Sequence, residues 1–521
     1  MSSIKEMAAS KIYQRDPETP IEKDTDLDTK EKQLDQDSPP SALERYINLP
    51  SVFNFEVILQ SAWEAIAINF QFSLLNGGPA SMVYGGIFAG FGASFVALSL
   101  AEMASMDPTV GAQYRWSARF ARSAPRFWGL IQGWITTAAW IFTAAANPAA
   151  LANMITALMI FNDETYSPKR WHTAMFMWLF IIVPVVFNIW FRKVINTLET
   201  VGGVIHIVFF IVNIVLLPVL AVRSSNDYVW NTLTNDLSGW TNPGVAFGIG
   251  LLTVTYPISG ADGLLHMSDE VKGVRKRVPY SIITSTISNA IMQFAFVICL
   301  LYSIGNVDQV ANSPTGLPII EVYYQATKSK PATNFLVAML CIIIFVAMIN
   351  VFASVSRLTW AFARDHGLPF HTFFSRVSPR FKMPLNALGL ISVITFILSL
   401  IYIGSSTAYN AIISLSAIGL HISYVIPILF FLLRKLRGPP VSFGPFSLGR
   451  WGIPINMLAL CYLCFVIIWM PFPIELPVTA NNFNYAGPLI GAVIVAALID
   501  WFITGHKRFE VPVARPVSEE L

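Results

Sequence analysis

Long, nearly uninterrupted blocks of apolar residues are the feature that most constrains how this chain can fold. A block of about 20 such residues matches the ~30 Å hydrocarbon layer of a bilayer at the ~1.5 Å rise per residue of an α-helix. Charged residues that would end such blocks are scarce: they make up 12% of the 521 residues. A soluble globular chain carries about 25%. The sequence therefore predicts an all-α, polytopic membrane protein.

The apolar blocks predict twelve transmembrane helices. We place them approximately at residues 55–75, 80–104, 127–160, 173–191, 198–222, 244–266, 280–304, 333–356, 385–404, 408–433, 453–471 and 486–504. Residues 1–50 are polar, rich in charge and poor in aromatic side chains, and we predict that they form a disordered cytosolic tail. Residues 506–521 are predicted to form a cytosolic C-terminal tail.

The distribution of Lys and Arg predicts the orientation, because cytosolic loops of membrane proteins carry an excess of these residues. With residues 1–50 in the cytosol, the inner loops receive 22 of the 34 Lys and Arg residues and the outer loops receive five. Both termini are therefore predicted to be cytosolic. The plasma membrane is the expected location, with a vacuolar or other endomembrane location as the alternative.

Several functional classes are disfavoured by the same sequence. The basic residues are dispersed among short loops, so we expect no nucleic-acid partner. The sequence contains no nucleophile–base motif and no cluster of metal-ligand residues, so we expect neither an enzyme nor a bound metal or cofactor. The oligomeric state is left open. We expect neither a disulfide framework nor a zinc site, because all the cysteines lie inside apolar runs: Cys299, Cys341, Cys461 and Cys464.

Two of the predicted spans are interrupted by polar residues. Residues 61–69 of span 1 include Glu64, and residues 256–263 of span 6 include Asp262 together with Pro257 and Gly260. Polar groups in hydrocarbon are costly and usually face a cavity or a partner helix. Spans 1 and 6 are corresponding members of two five-helix halves, and paired interrupted helices of this kind indicate a transporter site between repeats. The alternative is that both carboxyl groups only form hydrogen bonds between helices and have no part in a transporter site.

Three stretches of the chain resemble the amino acid–polyamine–organocation superfamily, and more closely its fungal amino acid, choline and GABA permease branch. They are Asn76-Gly77-Gly78-Pro79 with residues 101–114, residues 260–279, and Ser356-Arg357 with residues 363–369. The similarity covers about residues 50–505. It implies a transporter domain, residues 51–505, with a LeuT-like fold of two inverted five-helix repeats at about 53–222 and 244–433. Two peripheral helices, at about 453–504, would complete the domain.

The same resemblance implies where the site lies, between helices 1, 3, 6, 8 and 10. The family's break in helix 1 falls on Trp63-Glu64-Ala65, and its break in helix 6 falls on Ile258 to Ala261. Tyr256 is the candidate aromatic gate. The resemblance therefore implies that the substrate contacts Ser61, Trp63, Glu64, Ala65, Tyr256, Ser259, Gly260, Ala261, Asn350 and Phe352.

Three residues are candidate proton carriers. Glu64 stands where the superfamily at large has small residues, and a substrate carboxylate beside it is unfavourable unless one of the two groups is protonated. Glu64 therefore either binds a substrate ammonium or carries the coupling proton. Asp262 lies just below the implied site, and His206 in span 5 is a candidate because histidine titrates near neutral pH. For His206 the alternative is a histidine bonded between helices, and sodium coupling stays open.

Together these features predict a secondary active transporter that works by alternating access. Its substrate is expected to be a small amine-containing solute, an amino acid or a GABA-like ω-amino acid, imported by proton symport. Choline or a polyamine is the second candidate. A nutrient receptor that binds the solute without transporting it is the alternative from another class, disfavoured because the predicted cytosolic extensions are short.

Overall fold

The computed structural model describes Leu43, Ile47 and residues 49–235, 238–480 and 482–511, and their regular structure is helical throughout. The predicted tail, residues 1–50, lies outside the described residues except for Leu43, Ile47 and the start of the first helix. The helices are α1 Leu49–Gln60, α2 Ala62–Asn69, α3 Gln71–Leu75, α4 Gly78–Met106, α5 Ala112–Phe120, α6 Pro125–Asn162, α7 Arg170–Trp190, α8 Arg192–Leu220, α9 Asn226–Asn231, α10 Pro243–Gly250, α11 Leu252–Thr255, α12 Val274–Tyr302, α13 Val307–Ala311, α14 Pro318–Thr327, α15 Lys330–Arg364, α16 His371–Phe374, α17 Leu385–Gly404, α18 Ser406–Arg437, α19 Gly452–Trp469, α20 Ala486–Asp500 and α21 His506–Arg508. Tighter or wider turns occupy Gly263–Glu270 and Gly449–Trp451 (3₁₀) and Trp501–Gly505 (π).

Within the described part of the chain, ten helices are long and apolar enough to cross a membrane. They are α4, α6, α7, α8, α12, α15, α17, α18, α19 and α20, and each overlaps one of the predicted spans. The two predicted spans that are missing from this set are spans 1 and 6. Both are absent because they are divided into shorter helices, at the polar interruptions that the sequence contains.

Span 1 is divided at Ser61, which lies between α1 and α2 with φ 41° and ψ 49°. This left-handed conformation costs a residue with a Cβ atom roughly 1–2 kcal/mol. Asn289 of α12 stabilises the break, because its side chain accepts a hydrogen bond from Ala62 N–H (3.4 Å) and donates one to the Val57 carbonyl (3.2 Å). The predicted break at residues 63–65 was therefore placed too late: those residues belong to α2.

Span 6 is divided between α11 and the 3₁₀ helix, so that residues 256–262 have no helical assignment. Gly260 has φ 91°, a conformation that residues with a Cβ atom rarely adopt. Groups released by the break find partners on three other helices. Gln293 of α12 donates to the Val254 carbonyl (2.9 Å), Glu56 of α1 accepts from Leu264 N–H (2.8 Å), and Ser354 of α15 donates to the Gly263 carbonyl (2.9 Å). The predicted break, Ile258 to Ala261, lies inside this segment.

The chain after α20 packs back onto the helices that precede it. Phe509 is fully buried, with its ring against Tyr114 of α5 and Phe362 of α15. Arg508 donates hydrogen bonds to the carbonyls of His366 (2.7 Å) and Gly367 (2.8 Å), directly after α15. The described part of the predicted C-terminal tail, residues 506–511, is thus held against α5 and the end of α15.

Replacing Phe509 with alanine is expected to lower the free energy of unfolding by about 3 kcal/mol, because it empties a site filled by an aromatic ring. The measurement is the temperature at which the detergent-solubilised protein loses its monodisperse gel-filtration peak. Phe502→Ala is the matched control, since Phe502 lies only seven residues earlier, in the π-helical turn Trp501–Gly505, and is 74% exposed. Equal losses for the two variants would contradict the structural role of Phe509.

Candidate functional site

The two interrupted spans each contribute a fully buried carboxyl group. Glu64, in the first turn of α2, contacts α8: its Oε1 lies 2.6 Å from His206 Nδ1, and both side chains are completely buried. The second oxygen of Glu64 and the Nε2 atom of His206 have no hydrogen-bond partner in the part of the chain that the structure describes. In surroundings of low polarity, a charge or a proton on this pair has a much larger electrostatic effect than it has in water.

Aromatic rings lie on one side of this pair, where the Trp63 ring centroid is 6.1 Å from that of His206. Trp63 is fully buried, and its ring centroid lies 5.2 Å from that of Phe296 on α12. It lies 6.0 Å and 6.1 Å from the ring centroids of Phe209 and Phe210 on α8. The Glu64–His206 pair therefore sits beside a cluster of π-faces, a surface that attracts cations.

Asp262, at the end of the break in span 6, accepts hydrogen bonds from side chains of three helices. It accepts hydrogen bonds from Gln113 of α5, from Trp140 Nε1 of α6 (2.8 Å) and from Tyr424 of α18. His266, one turn along the 3₁₀ helix, places Nε2 3.3 Å from the same carboxyl group. Asp262 is fully buried, so these donors replace the water that its carboxylate would otherwise bind.

Another buried carboxyl group lies on α8. Glu199 accepts a hydrogen bond from Asn350 of α15 (3.0 Å), and the same amide approaches the Phe55 carbonyl of α1 at 3.4 Å. The predicted site residue Asn350 thus connects α1, α8 and α15. Phe352, two residues along α15, is fully buried in the hydrophobic core.

The predicted substrate residues separate into groups. Ser259, Gly260 and Ala261 line a cavity beside the break in span 6, together with Tyr424 of α18 and other residues of α4, α18 and α19. The remaining seven do not line that cavity: Ser61, Trp63, Glu64, Ala65, Tyr256, Asn350 and Phe352. The cavity measures about 10 Å³, room for about one water molecule. A larger solute can enter only if the surrounding helices move apart.

Tyr256, the predicted aromatic gate, is half-buried and hydrogen-bonded to Ser416 of α18. It therefore bridges the end of α11 to α18, on the side of the break that precedes Gly260. The partners of Asp262 were not among the predicted site residues. Gln113 and Tyr424 are fully or almost fully buried polar side chains, a property that the structure shows and the sequence alone does not indicate.

Ion pairs close the end of the bundle where α15 terminates. Arg357 and Glu270 are both fully buried, with Nε 2.9 Å from Oε1. Arg364 approaches Asp269 at 3.4 Å, and Lys435 of α18 approaches Glu102 of α4 at 2.5 Å. These contacts join the 3₁₀ helix to α15, and α4 to α18, so this end cannot open unless they separate.

Comparison with known proteins places most of the helical bundle in one family. The sequence model for the family described as amino acid permease matches residues 57–495. The chain is 29% identical over 470 residues to the choline transporter of Saccharomyces cerevisiae, covering 90% of this chain and 83% of that protein. It is 28% identical over 467 residues to amino-acid permease 2 of Neurospora crassa, covering 89% and 85%.

A plant protein is similar over nearly the full chain as well. The amino-acid permease BAT1 of Arabidopsis thaliana is 26% identical over 497 residues, covering 91% of this chain and 95% of that protein. The match to the family model begins within α1 and ends within α20, so the breaks of both interrupted spans lie inside it. The chain therefore belongs to the amino acid permease family of the amino acid–polyamine–organocation superfamily, and it is an integral multi-pass membrane transporter.

Proposed function

We propose that this transporter imports a small amine-containing solute, an amino acid or a GABA-like ω-amino acid, by proton symport with alternating access. The observation that carries the proposal is the Glu64–His206 pair: a fully buried carboxyl and imidazole, 2.6 Å apart, directly after the break in span 1. A lone carboxylate in such a place is costly, so a proton shared between the two groups, or another cation beside them, would stabilise the buried pair.

Proton binding and substrate binding are linked through this pair. With a proton on Glu64 or His206, a substrate carboxylate can approach the backbone N–H groups near Ser61 without facing a lone negative charge. By linkage, a proton that favours substrate binding is itself bound more tightly when substrate is present. We assign substrate contact to Ser61, Trp63, Ala65, Tyr256, Ser259, Gly260, Ala261, Asn350 and Phe352, and proton carriage to Glu64 and His206, with Asp262 as the further candidate.

We propose that the two divided spans also cross the membrane and complete twelve crossings. Residues 53–222 and 244–433 then form two inverted five-helix repeats, residues 453–504 add two peripheral helices, and both termini face the cytosol. The breaks at Ser61 and Gly260 lie in the first crossing of each repeat, which is where such a symmetry requires them. The plasma membrane is the proposed location.

Choline or a polyamine is the second candidate substrate, and a specific observation favours it. Glu64 lies beside Trp63, which packs with Phe209, Phe210 and Phe296, and a carboxylate near aromatic faces suits a quaternary ammonium group. The relative from Saccharomyces cerevisiae is named a choline transporter. In this case the substrate cation would pair with Glu64 directly, in place of the proton.

The test is uptake of radiolabelled solutes into proteoliposomes that contain the purified full chain. The panel holds amino acids, GABA, choline and putrescine, each with and without an inward proton gradient of two pH units. For symport with one proton, accumulation of a zwitterion is expected to approach about 100-fold, since each pH unit corresponds to about 1.36 kcal/mol. A protonophore should abolish that accumulation.

Each other outcome changes the assignment. Choline or putrescine uptake without zwitterion uptake would favour direct pairing with Glu64. Zwitterion uptake that is the same with and without the proton gradient, and unchanged by the protonophore, would contradict proton coupling. Saturable binding of a solute without any flux would contradict transport and favour the receptor alternative.

A further inference from the structure

More carboxyl groups are buried in the described part of the bundle than are paired with a basic side chain. Six acidic side chains there are at most 1% exposed. Four of them contact a basic group: Glu64 contacts His206, Glu102 contacts Lys435, Asp262 contacts His266, and Glu270 contacts Arg357. The two without such a contact among the described residues are Glu56 and Glu199. A buried carboxylate without a counter-charge is costly, and a bound proton removes that cost.

Glu56 lies where the two interrupted spans meet. It belongs to α1, five residues before the break at Ser61, about 7.5 Å along the helix. One of its oxygens accepts the hydrogen bond from Leu264 N–H (2.8 Å), two residues after Asp262. The other oxygen, Oε1, has no hydrogen-bond partner in the described part of the chain. Asp262 interacts electrostatically with Glu56, so two charged carboxylates here would repel each other.

The carboxyl groups of Asp262 and Glu56 differ in the hydrogen-bond donors that they receive. Asp262 has side-chain donors on α5, α6 and α18, and His266 lies beside it. Glu56 has one donor among the described residues, a backbone N–H. Hydrogen bonds to a carboxylate stabilise its charged form. The negative charge therefore belongs on Asp262, and a proton bound in this region belongs on Glu56.

Among the described residues, no basic group is left to pair with Glu56. The elements around this part of α1 are the segment after the break in span 6, α8, α15 and α18, and they contribute these ionisable groups: Asp262, His266, Glu270, Glu199, Arg357 and Tyr424. Both basic members are engaged, since His266 faces Asp262 (3.3 Å) and Arg357 faces Glu270 (2.9 Å). The fifth neighbour, α12, presents the neutral amide of Asn289, which donates to the Val57 carbonyl (3.2 Å).

We propose that Glu56 is a second proton-binding residue of the transport cycle, protonated while the inner end of the bundle is closed and ionised when that end opens. The inner end is the one where α15 terminates, closed by the Arg357–Glu270 pair. The hydrogen bond from Leu264 N–H to Glu56 joins α1 to the 3₁₀ helix, and inward release requires these elements to part. Water then reaches Glu56, and an exposed glutamic acid releases its proton at neutral pH.

The route of the proton to Glu56 starts at the cavity beside the break in span 6. Tyr424 lines that cavity and donates a hydrogen bond to Asp262, and Asp262 interacts in turn with Glu56. A proton from external water reaches Glu56 by this route while the inner end stays closed, and it leaves later to cytosolic water. The inference rests on the proposed proton symport and sets its ratio at two protons per solute, one on the Glu64–His206 pair and one on Glu56.

The test is the pH gradient at which net solute flux stops, measured in proteoliposomes that contain the purified full chain. The probe is labelled GABA, about tenfold more concentrated inside, and valinomycin with equal potassium on both sides holds the membrane potential at zero. Because one pH unit is a tenfold ratio of proton concentrations, flux driven by two protons should stop at an inward gradient of about 0.5 pH unit. Glu56→Gln, left with one proton, should stop at about 1 pH unit. Glutamine keeps the size of the side chain and can still accept from Leu264 N–H.

Two further variants assign the effect to Glu56. Glu199→Gln removes the other unpaired buried acid, and Glu321→Gln makes the same change on α14, where Glu321 is half-buried and accepts from Gln325 (2.9 Å). Both should keep the balance point of the unmodified protein. A shift in Glu199→Gln in place of Glu56→Gln, or a balance point near 1 pH unit in the unmodified protein, would overturn the proposal and leave proton symport intact. A balance point at zero pH gradient would refute proton symport itself, and this proposal with it.

Infrared spectroscopy tests the protonation of Glu56 without transport. A protonated carboxyl group absorbs at a higher frequency than a carboxylate. The spectrum of the unmodified protein minus that of Glu56→Gln should therefore contain a carboxylic-acid band at neutral pH. A carboxylate band in its place would show that Glu56 is charged in the closed protein, and it would overturn the proposal whatever the flux measurements give.

Discussion

Replacing Glu64 with glutamine is expected to reduce gradient-driven uptake about 100-fold, a loss of about 2.7 kcal/mol of transition-state stabilisation. Glutamine preserves the size of the side chain and can still bond to His206, whose Nδ1 lies 2.6 Å from Glu64 Oε1. It can carry neither a negative charge nor the transported proton. The protein should therefore fold normally and fail in transport, which gel filtration and uptake in proteoliposomes measure separately.

Counterflow in the absence of a gradient separates the two roles that Glu64 can have. If Glu64 carries the proton, the glutamine variant should lose accumulation and keep exchange of labelled for unlabelled substrate. If Glu64 pairs with the substrate ammonium, the variant should lose both. Unchanged uptake with an unchanged pH profile would rule out any role for this side chain.

The partner residue provides an independent check. Because Glu64 and His206 form one buried pair, His206→Gln and the double variant should lose about as much uptake as Glu64→Gln alone, rather than the sum of two losses. His172→Gln is the matched control. His172 is half-buried at the start of α7, where it contacts the Tyr166 hydroxyl (2.9 Å) and no carboxyl group of the described part of the chain.

The positions of the helices could be predicted well from the sequence, because the length of an apolar block is a local property. The break in span 6 is local too: Gly260 adopts φ 91° in a segment that also contains a proline. The break in span 1 could not be placed correctly. Ser61 has no intrinsic preference for its left-handed conformation, and Asn289, more than 220 residues away in the chain, stabilises the break from α12.

For the site, the sequence could predict individual ionisable residues but not which residues pair with one another, because the pairings depend on contacts between distant parts of the chain. Glu64, His206 and Asp262 were conspicuous one by one, since ionisable groups in apolar segments are costly. That Glu64 faces His206, and that Asp262 collects donors from α5, α6 and α18, depends on helix packing. A single sequence contains no direct signal for such pairings, and Gln113 and Tyr424 resemble ordinary buried residues until their partners are known.

The buried ion pair between Arg357 and Glu270 leads to the largest expected loss of stability. Glu270→Gln leaves the Arg357 guanidinium fully buried and, among the residues that the structure describes, with neutral acceptors alone, including Asn188 and the Ala353 carbonyl. Removing one member of a buried pair costs about 3–5 kcal/mol. Thermal denaturation followed by gel filtration should therefore show a much lower melting temperature for this variant than for the unmodified protein.

The neighbouring residue and a double variant decide whether burial is the cause. Asp269→Asn is the same chemical change one position earlier, but the Asp269 and Arg364 side chains are 29% and 37% exposed, so water screens their pair. Its loss should stay below about 1 kcal/mol. Combining Glu270→Gln with Arg357→Met removes both charges and should restore at least half of the lost stability, because no unbalanced charge then remains from this pair. Two results would contradict this explanation: a loss of stability for Asp269→Asn as large as that for Glu270→Gln, or a double variant that is the least stable of the three. In either case the buried charge is not what holds the 3₁₀ helix against α15.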